Sequence, residues 1–370
     1  MNGADPDPVG NASGSPVPAA QRIVEVPLGA RTYLVHIGPA ARHELAAVIS
    51  RLGASRVAVV SARPPEWVPD PGVPARFIQI RDGEAGKTLA AVAALCEQFA
   101  EAGLTRDDAV VSCGGGTTTD VVGLAAALYH RGVPVVHLPT SLLAQVDASV
   151  GGKTAVNLPA GKNLVGTYWQ PAAVLCDTDY LRTLPDREFV NGCGELARAH
   201  FIGCPNLAAL PLIEQIEASV RLKAAIVARD ERDDGPRHLL NYGHTLGHAL
   251  ERGTDYRMRH GEAVAIGTVF AGRLAGRLGR IDDARVAEHR EVVEGYGLSP
   301  CLPVDVLPEQ LLTLMRRDKK TLGGFTFVLD GPDGAELVRD VSEDLVRETL
   351  AAMPRSDQSS PRAAVRDRRW

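Results

Sequence analysis

Short β-rich runs alternate with Ala/Leu-rich segments through the first half of this chain, and that alternation limits the available folds more than any other feature. Residues 23–28 and 33–37 read as strands in a hairpin, and 56–60, 76–80, 108–112 and 133–137 as further short apolar, partly β-branched strands. Segments 40–52, 85–103 and 119–130 carry helical spacing between them. Strands separated by helices pair in parallel, because a parallel neighbour is reached only by a crossover long enough to hold a helix. From about residue 186 the pattern changes to Ala-, Leu- and Glu-rich periodic segments with few β-rich runs. The expectation is an α/β domain over 21–185 followed by a mostly α-helical domain over 186–353, with the active site in the cleft between them. Residues 1–20 and 354–370 have little to bury and are expected as disordered, solvated tails.

At 370 residues the chain is long enough for two such domains, and its 45% apolar and 23% charged content is that of a globular protein. The formal charge of −5 gives no basic field for nucleic acid or an anionic membrane, so an anionic substrate has to be met by locally placed Lys and Arg. Cys96, Cys113, Cys176, Cys193, Cys204 and Cys301 are scattered, without a Cys-x-x-Cys pair, as suits free thiols in a reducing compartment. The start of the chain lacks a basic stretch followed by an apolar core, and no uncharged apolar run is long enough to cross a bilayer. The expected location is the cytoplasm.

Several segments carry chemistry. Ser112-Cys113-Gly114-Gly115-Gly116-Thr117-Thr118-Thr119-Asp120 follows a predicted strand and opens a predicted helix, where glycines admit a ligand to the backbone and unpaired N–H groups face a pyrophosphate. A tight turn would account for the glycines alone. Asp82-Gly83-Glu84-Ala85-Gly86-Lys87 reads as a turn into a helix. Residues 140–157 place a lone Asp147 on an apolar helical face and then bring Lys153 forward on Gly151-Gly152; Gly161-Lys162-Asn163 adds donors in a loop, a grouping suited to phosphate. Finally, Asn241-Tyr242-Gly243-His244-Thr245-Leu246-Gly247-His248 and His260-Gly261-Glu262 gather three imidazoles. His244 and His248, four apart, leave one face of a helix, and a catalytic zinc-like site needs a third protein ligand plus an open position.

These motifs, with Leu181-Arg182-Thr183-Leu184-Pro185 and Asp318-Lys319-Lys320, stand in the order and spacing of the 3-dehydroquinate synthase family, which the chain resembles over about residues 22–350. The resemblance implies a Rossmann-like NAD-binding α/β domain, a helical C-terminal domain and a homodimer. It assigns a divalent metal, zinc or cobalt, to Glu195, His244 and His260. The NAD site it implies uses Asp82, Gly83, Glu84, Lys87, Gly115, Gly116, Asp120, Thr140, Ser141, Lys153, Lys162 and Thr183. The sugar acid phosphate would meet Asp147, Lys153, Asn163, Arg198, Lys223, Arg237, Asn241, His248, Lys319 and Lys320, with Arg131 reaching the neighbouring subunit's substrate. His248 then reads as a phosphate or proton-transfer partner and not as a metal ligand.

The implied reaction converts 3-deoxy-arabino-heptulosonate 7-phosphate to 3-dehydroquinate and phosphate by transient oxidation, elimination, re-reduction and aldol closure. The alternative is aminodehydroquinate synthase, acting on the 4-amino analogue. Two departures bear on this choice. Arg198 stands where the family's dehydroquinate synthases typically carry lysine, and a forked guanidinium does not replace a compact ammonium. The stretch between Ile202 and Lys223 is also shorter than in the enzymes of primary metabolism. Arg237 and Asn241 favour a carboxylate-bearing substrate over sedoheptulose phosphate. Outside this class, a metal-dependent alcohol or glycerol dehydrogenase shares the glycine run but lacks the Gly-Gly-Lys-Thr-Ala and Asp-Lys-Lys segments. A non-catalytic binding paralogue would have no need of the metal and phosphate sets.

Overall fold

The computed structural model describes residues 21–318 and 324–357. β1 (Arg22–Val26) and β2 (Tyr33–Gly38) form an antiparallel hairpin. After them come α1 (Leu45–Leu52), β3 (Val57–Ser61), β4 (Ala75–Gln79), α2 (Leu89–Glu101), β5 (Ala109–Gly114), α3 (Gly116–Leu128) and β6 (Val135–Pro139). A second hairpin, β7 (Lys153–Leu158) with β8 (Gly161–Tyr168), stands outside the main sheet, and β9 (Ala173–Asp177) returns to it. The seven-stranded order is β1-β2-β9-β6-β5-β3-β4, parallel throughout except between β1 and β2.

The local reasons are legible. Every residue of β3, β5, β6 and β9 is buried, as a parallel sheet covered on both faces requires. β4, at the sheet edge, leaves most of its residues open. Helix α2 starts where the Thr88 side chain accepts the Ala91 N–H at 3.1 Å. Two readings are corrected. Residues 151–163, expected as Gly-rich loops, are largely strand, and β9 was not anticipated.

The second half contains α4 (Asp186–Ile202), α5 (Leu212–Arg229), α6 (His244–Gly253), α7 (His260–Arg277), α8 (Asp283–Gly295), β10 (Leu302–Pro303), α9 (Pro308–Asp318), β11 (Phe325–Leu329), β12 (Glu336–Val341), α10 (Glu343–Ala351) and β13 (Arg355–Ser356). Helix α7 is the hub, buried over most of its length and packed by α4, α6, α8 and α10. β13 pairs with β10, so the segment expected as a tail from 354 is structured as far as its pairing reaches. Residues 1–20 and 358–370 lie outside the described residues.

The two regions share one core. Val24, Val35, Ile37 and Cys176 of the sheet pack with Leu196 and Phe201 of α4 and with Ile216 and Val220 of α5. Each such aliphatic side chain contributes about 1.5–3 kcal/mol when fully buried, so this seam fixes the sheet edge against the helices. The described cysteines are all free thiols. Among the described residues, no helix is long and apolar enough to cross a membrane.

Candidate active site

Three helices deliver the metal-type ligands. Glu195 lies inside α4, His244 opens α6, and His260 opens α7. Two glycines let α4 and α7 meet backbone to backbone. A Cβ on Gly261 would sit 1.8 Å from the Asn191 carbonyl oxygen, and one on Gly194 would sit 2.3 Å from the Gly261 oxygen. The Gly261 N–H donates to Asn191 Oδ1 at 2.7 Å. This crossing brings His260 Nε2 to 3.1 Å from Glu195 Oε1, with His244 Nε2 3.6 Å from the same oxygen.

Both imidazoles are oriented from behind. His244 Nδ1 donates to the Tyr242 carbonyl at 3.1 Å, and His260 Nδ1 donates to Glu251 Oε2 at 3.1 Å. Each ring therefore turns Nε2 toward Glu195, the arrangement that outer partners impose on metal-ligating histidines. Burial lowers the His244 pKa to about 3, which keeps that ring neutral. Burial would also lower His260, but its bonds to Glu195 and Glu251 prevail and raise it to about 10. One carboxylate and two imidazoles, with ligand atoms within 4.8 Å of one another, fit a divalent ion with positions left for substrate oxygens. Glu195 is 2% exposed, and its buried Oε2 is met by the Arg198 guanidinium as an ion pair. His248 shares the α6 face with His244, their ring centroids 5.4 Å apart. With Glu251 and His260 it forms a second close group.

An ion-pair network continues from Glu195. Arg198 Nε lies 2.9 Å from Glu195 Oε2, while its other arms reach Asp147 Oδ1 at 3.0 Å and the Leu240 carbonyl at 2.6 Å. Asp147 sits in a π-helical turn, Ala144–Ala148, and also takes Lys223 Nζ at 2.8 Å. Burial alone would raise the Asp147 carboxyl, but Lys223 and Arg198 hold it well below the usual carboxylate range. For Lys223 burial prevails over Asp147 and brings the ammonium down to about 8.

Of the other residues expected at substrate, Lys153 is an exposed side chain paired to Asp233 at 2.5 Å. Arg237 is fully buried, donating to the Gly151 carbonyl at 2.7 Å and lying 5.4 Å from the Tyr168 ring centre, so it shapes the Gly151-Gly152 turn. Asn163, with φ of 56°, stands at the hairpin tip and donates its N–H to Asn157 Oδ1 at 3.0 Å. Asn241 ends the 3-10 turn Pro236–Asn241 beside α6. Arg131 is exposed beyond α3 and joins none of these bonds. Lys319 and Lys320 lie outside the described residues.

On the nucleotide side, Gly115 is the N-cap of α3 and supplies no side-chain cap, so the first N–H groups of that helix stay open. The hydroxyls of Thr118 and Thr140 beside the glycine run are buried without partners. Open helix amides and unpaired hydroxyls suit an acceptor-rich ligand such as a dinucleotide. Lys87 is buried and held charged by Asp120, its ion-pair partner, against its desolvation. Glu84 Oε2 accepts from Asn157 at 2.7 Å, Asp82 pairs with Arg63 at 3.1 Å, Ser141 caps Ala144 at 3.3 Å, and Thr183 donates to the Tyr180 carbonyl at 2.7 Å. Lys162 reaches Glu251 at 2.9 Å. Two participants escape sequence reasoning: Asp233 and Glu251. Asp233 lies in an acid-rich turn and Glu251 three residues past His248, but their partners are distant in sequence.

Residues 77–191 match the family described as 3-dehydroquinate synthase N-terminal, and residues 184–321 match 3-dehydroquinate synthase C-terminal. The chain is 67% identical over 332 residues to a protein of Amycolatopsis mediterranei (strain S699) provisionally described as an aminodehydroquinate synthase, covering 90% of this chain and 95% of that one. It is 44% identical over 307 residues to a 3-dehydroquinate synthase of Nocardia farcinica (strain IFM 10152), covering 79% and 82%. Its fold resembles a crystal structure of 2-deoxy-scyllo-inosose synthase complexed with carbaglucose-6-phosphate, NAD+ and Co2+, with a TM-score of 0.82, 26% identity and coverage of 90% and 100%. The chain belongs to the 3-dehydroquinate synthase family.

Proposed function

We propose that this protein is an NAD- and divalent-metal-dependent cyclase of the aminodehydroquinate synthase type. It would act on the 4-amino analogue of 3-deoxy-arabino-heptulosonate 7-phosphate with loss of phosphate. The observation that carries the amino substrate is the identity of 67% to the aminodehydroquinate synthase-like relative, against 44% to the dehydroquinate synthase of Nocardia farcinica. The hydroxy substrate, favoured at the sequence level as the commoner activity of the family, is the second reading and rests on that 44% relative.

When bound, NAD takes and returns a hydride, and the metal acts as a Lewis acid on the hydroxyl being oxidised. Glu195, His244 and His260 would hold the metal, and the open amides of α3 would hold the pyrophosphate. Lys153, the exposed first residue of β7, would exchange its Asp233 partner for the substrate carboxylate, with Arg237 keeping the Gly151-Gly152 turn in place. Asn163, Lys223 and His248 would place the phosphate, with His248 positioned to accept or return a proton as it leaves. Arg198, held by Glu195, Asp147 and the Leu240 carbonyl, keeps the metal side and the anion side in register. This reading includes a homodimer in which the exposed Arg131 reaches the neighbouring active site.

The test is inorganic phosphate release by the purified protein with NAD and Co2+, offered the amino and hydroxy substrates in parallel. The amino substrate is expected to have the higher kcat/KM. The reverse order would make the protein a dehydroquinate synthase. Release from neither, with metal and NAD bound, would remove the carboxylate substrate altogether and direct attention to sedoheptulose 7-phosphate.

A further inference from the structure

Glu251 sits between the two cofactor sites. It is 4% exposed, on the last turns of α6, and its two oxygens hold different partners. Oε2 accepts from His260 Nδ1 at 3.1 Å, so it orients a metal-type ligand. Oε1 takes Lys162 Nζ at 2.9 Å from strand β8. Lys162 in turn lies 3.8 Å from Glu84 Oε1, on the turn between β4 and α2, and 4.3 Å from the centre of the Tyr256 ring. Glu84 also holds Asn157 of β7 at 2.7 Å. A continuous chain of charged contacts thus runs from the nucleotide-side turn through the hairpin and α6 to the first residue of α7.

Resting on the assignment of Lys162 to the NAD side and His260 to the metal, we propose that Glu251 is a positioning residue that couples dinucleotide binding to metal binding, so that each ligand tightens the other. The physical argument is competition for one cation. A bound dinucleotide draws the Lys162 ammonium toward its own oxygens and fixes the hairpin. The Glu251 carboxylate then gives its charge to His260 Nδ1–H. A stronger hydrogen bond at Nδ1 makes Nε2 a better donor toward the metal and holds the ring in the ligating orientation. Linkage requires the reciprocal effect of equal size: bound metal raises affinity for the dinucleotide.

The experiment measures Co2+ affinity of the full-length protein by chelator competition, with and without saturating NAD, and NAD affinity with and without Co2+. In the wild type NAD should tighten Co2+ by about tenfold, within the range usual for coupled sites, and Co2+ should tighten NAD by the same factor. Glu251→Gln should weaken Co2+ by about 10–100-fold, as loss of an outer partner does. It should also bring the coupling ratio below about twofold. A general loss of stability would lower both affinities but leave their ratio intact. Where Glu251→Gln binds no Co2+, Lys162→Met decides, since it keeps the His260–Glu251 bond and cuts the link from the other side. Loss of the ratio there supports the proposal. A wild-type ratio near one, or a ratio retained in these variants, overturns it. Failure of the wild type to bind NAD at all would overturn both this proposal and the assignment of the cofactor site, whereas binding of both ligands without coupling sinks the proposal alone.

Discussion

Asp147 concentrates the electrostatics of the site at the scale of single residues, because it neutralises both Arg198 and Lys223 in a region with little solvent. Lys223 is the member that burial leaves least firmly charged, with its pKa lowered to about 8. Below that value the ammonium is present; above it the Asp147 cluster loses a positive charge. The kcat/KM for phosphate release, which reports groups of the free enzyme, should therefore fall as pH rises through about 8. A flat profile well into the alkaline range would show that Lys223 does not serve the reaction in its charged form. Much of this residue-level picture was open to sequence reading, since Asp147, His244 and His260 lie within recognisable motifs and the family resemblance adds Glu195 and Lys223. The pairings were less accessible: Lys162 meets Glu251 across 89 positions and Lys153 meets Asp233 across 80. Separations of that size carry no periodic signal. Arg237 shows the same limit, because its type suggested an anion while its burial gives it backbone carbonyls to hold.

Among the elements, the crossing of α4 and α7 decides whether the metal-type ligands can meet. Gly261→Ala would drive a methyl into the Asn191 carbonyl, and backbone cannot step aside as a side chain can. Overpacking of this kind typically costs about 1–3 kcal/mol. We expect a lowered Tm together with loss of Co2+ affinity, read by thermal unfolding and chelator competition; unchanged affinity would show that the crossing is not what sets the Glu195–His260 distance. The elements also show why some strands were missed. β9 is as short and as buried as β3 and β6, so nothing in its own make-up hid it, whereas residues 153–168 carry glycines and polar side chains that resemble loop. Gly166 is in fact required by the strand pairing, since a Cβ there would lie 2.1 Å from the Thr154 oxygen. The alternation of strands and helices was readable because burial on both sheet faces demands long apolar runs. The hairpin, lying outside the main sheet, faces no such demand.

For the molecule as a whole, the shared core of sheet edge, α4 and α5 ties the sheet-bearing half to the helical half that carries Glu195, His244 and His260; under the proposed function a hydride carrier, a metal and an anionic substrate would meet between them. The composition changes near residue 186, where α4 begins, and gives no sign that β1 and β2 pack on α5. The central claim is that these halves together perform a phosphate-eliminating cyclisation in which the nucleotide is returned to its starting state. The most direct measurement follows inorganic phosphate and NADH together during turnover of the 4-amino substrate, before and after chelation. The account predicts phosphate release without net NADH, abolished by the chelator and restored by Co2+ or Zn2+. Accumulation of NADH in step with substrate consumption, or phosphate release indifferent to the chelator, would contradict it.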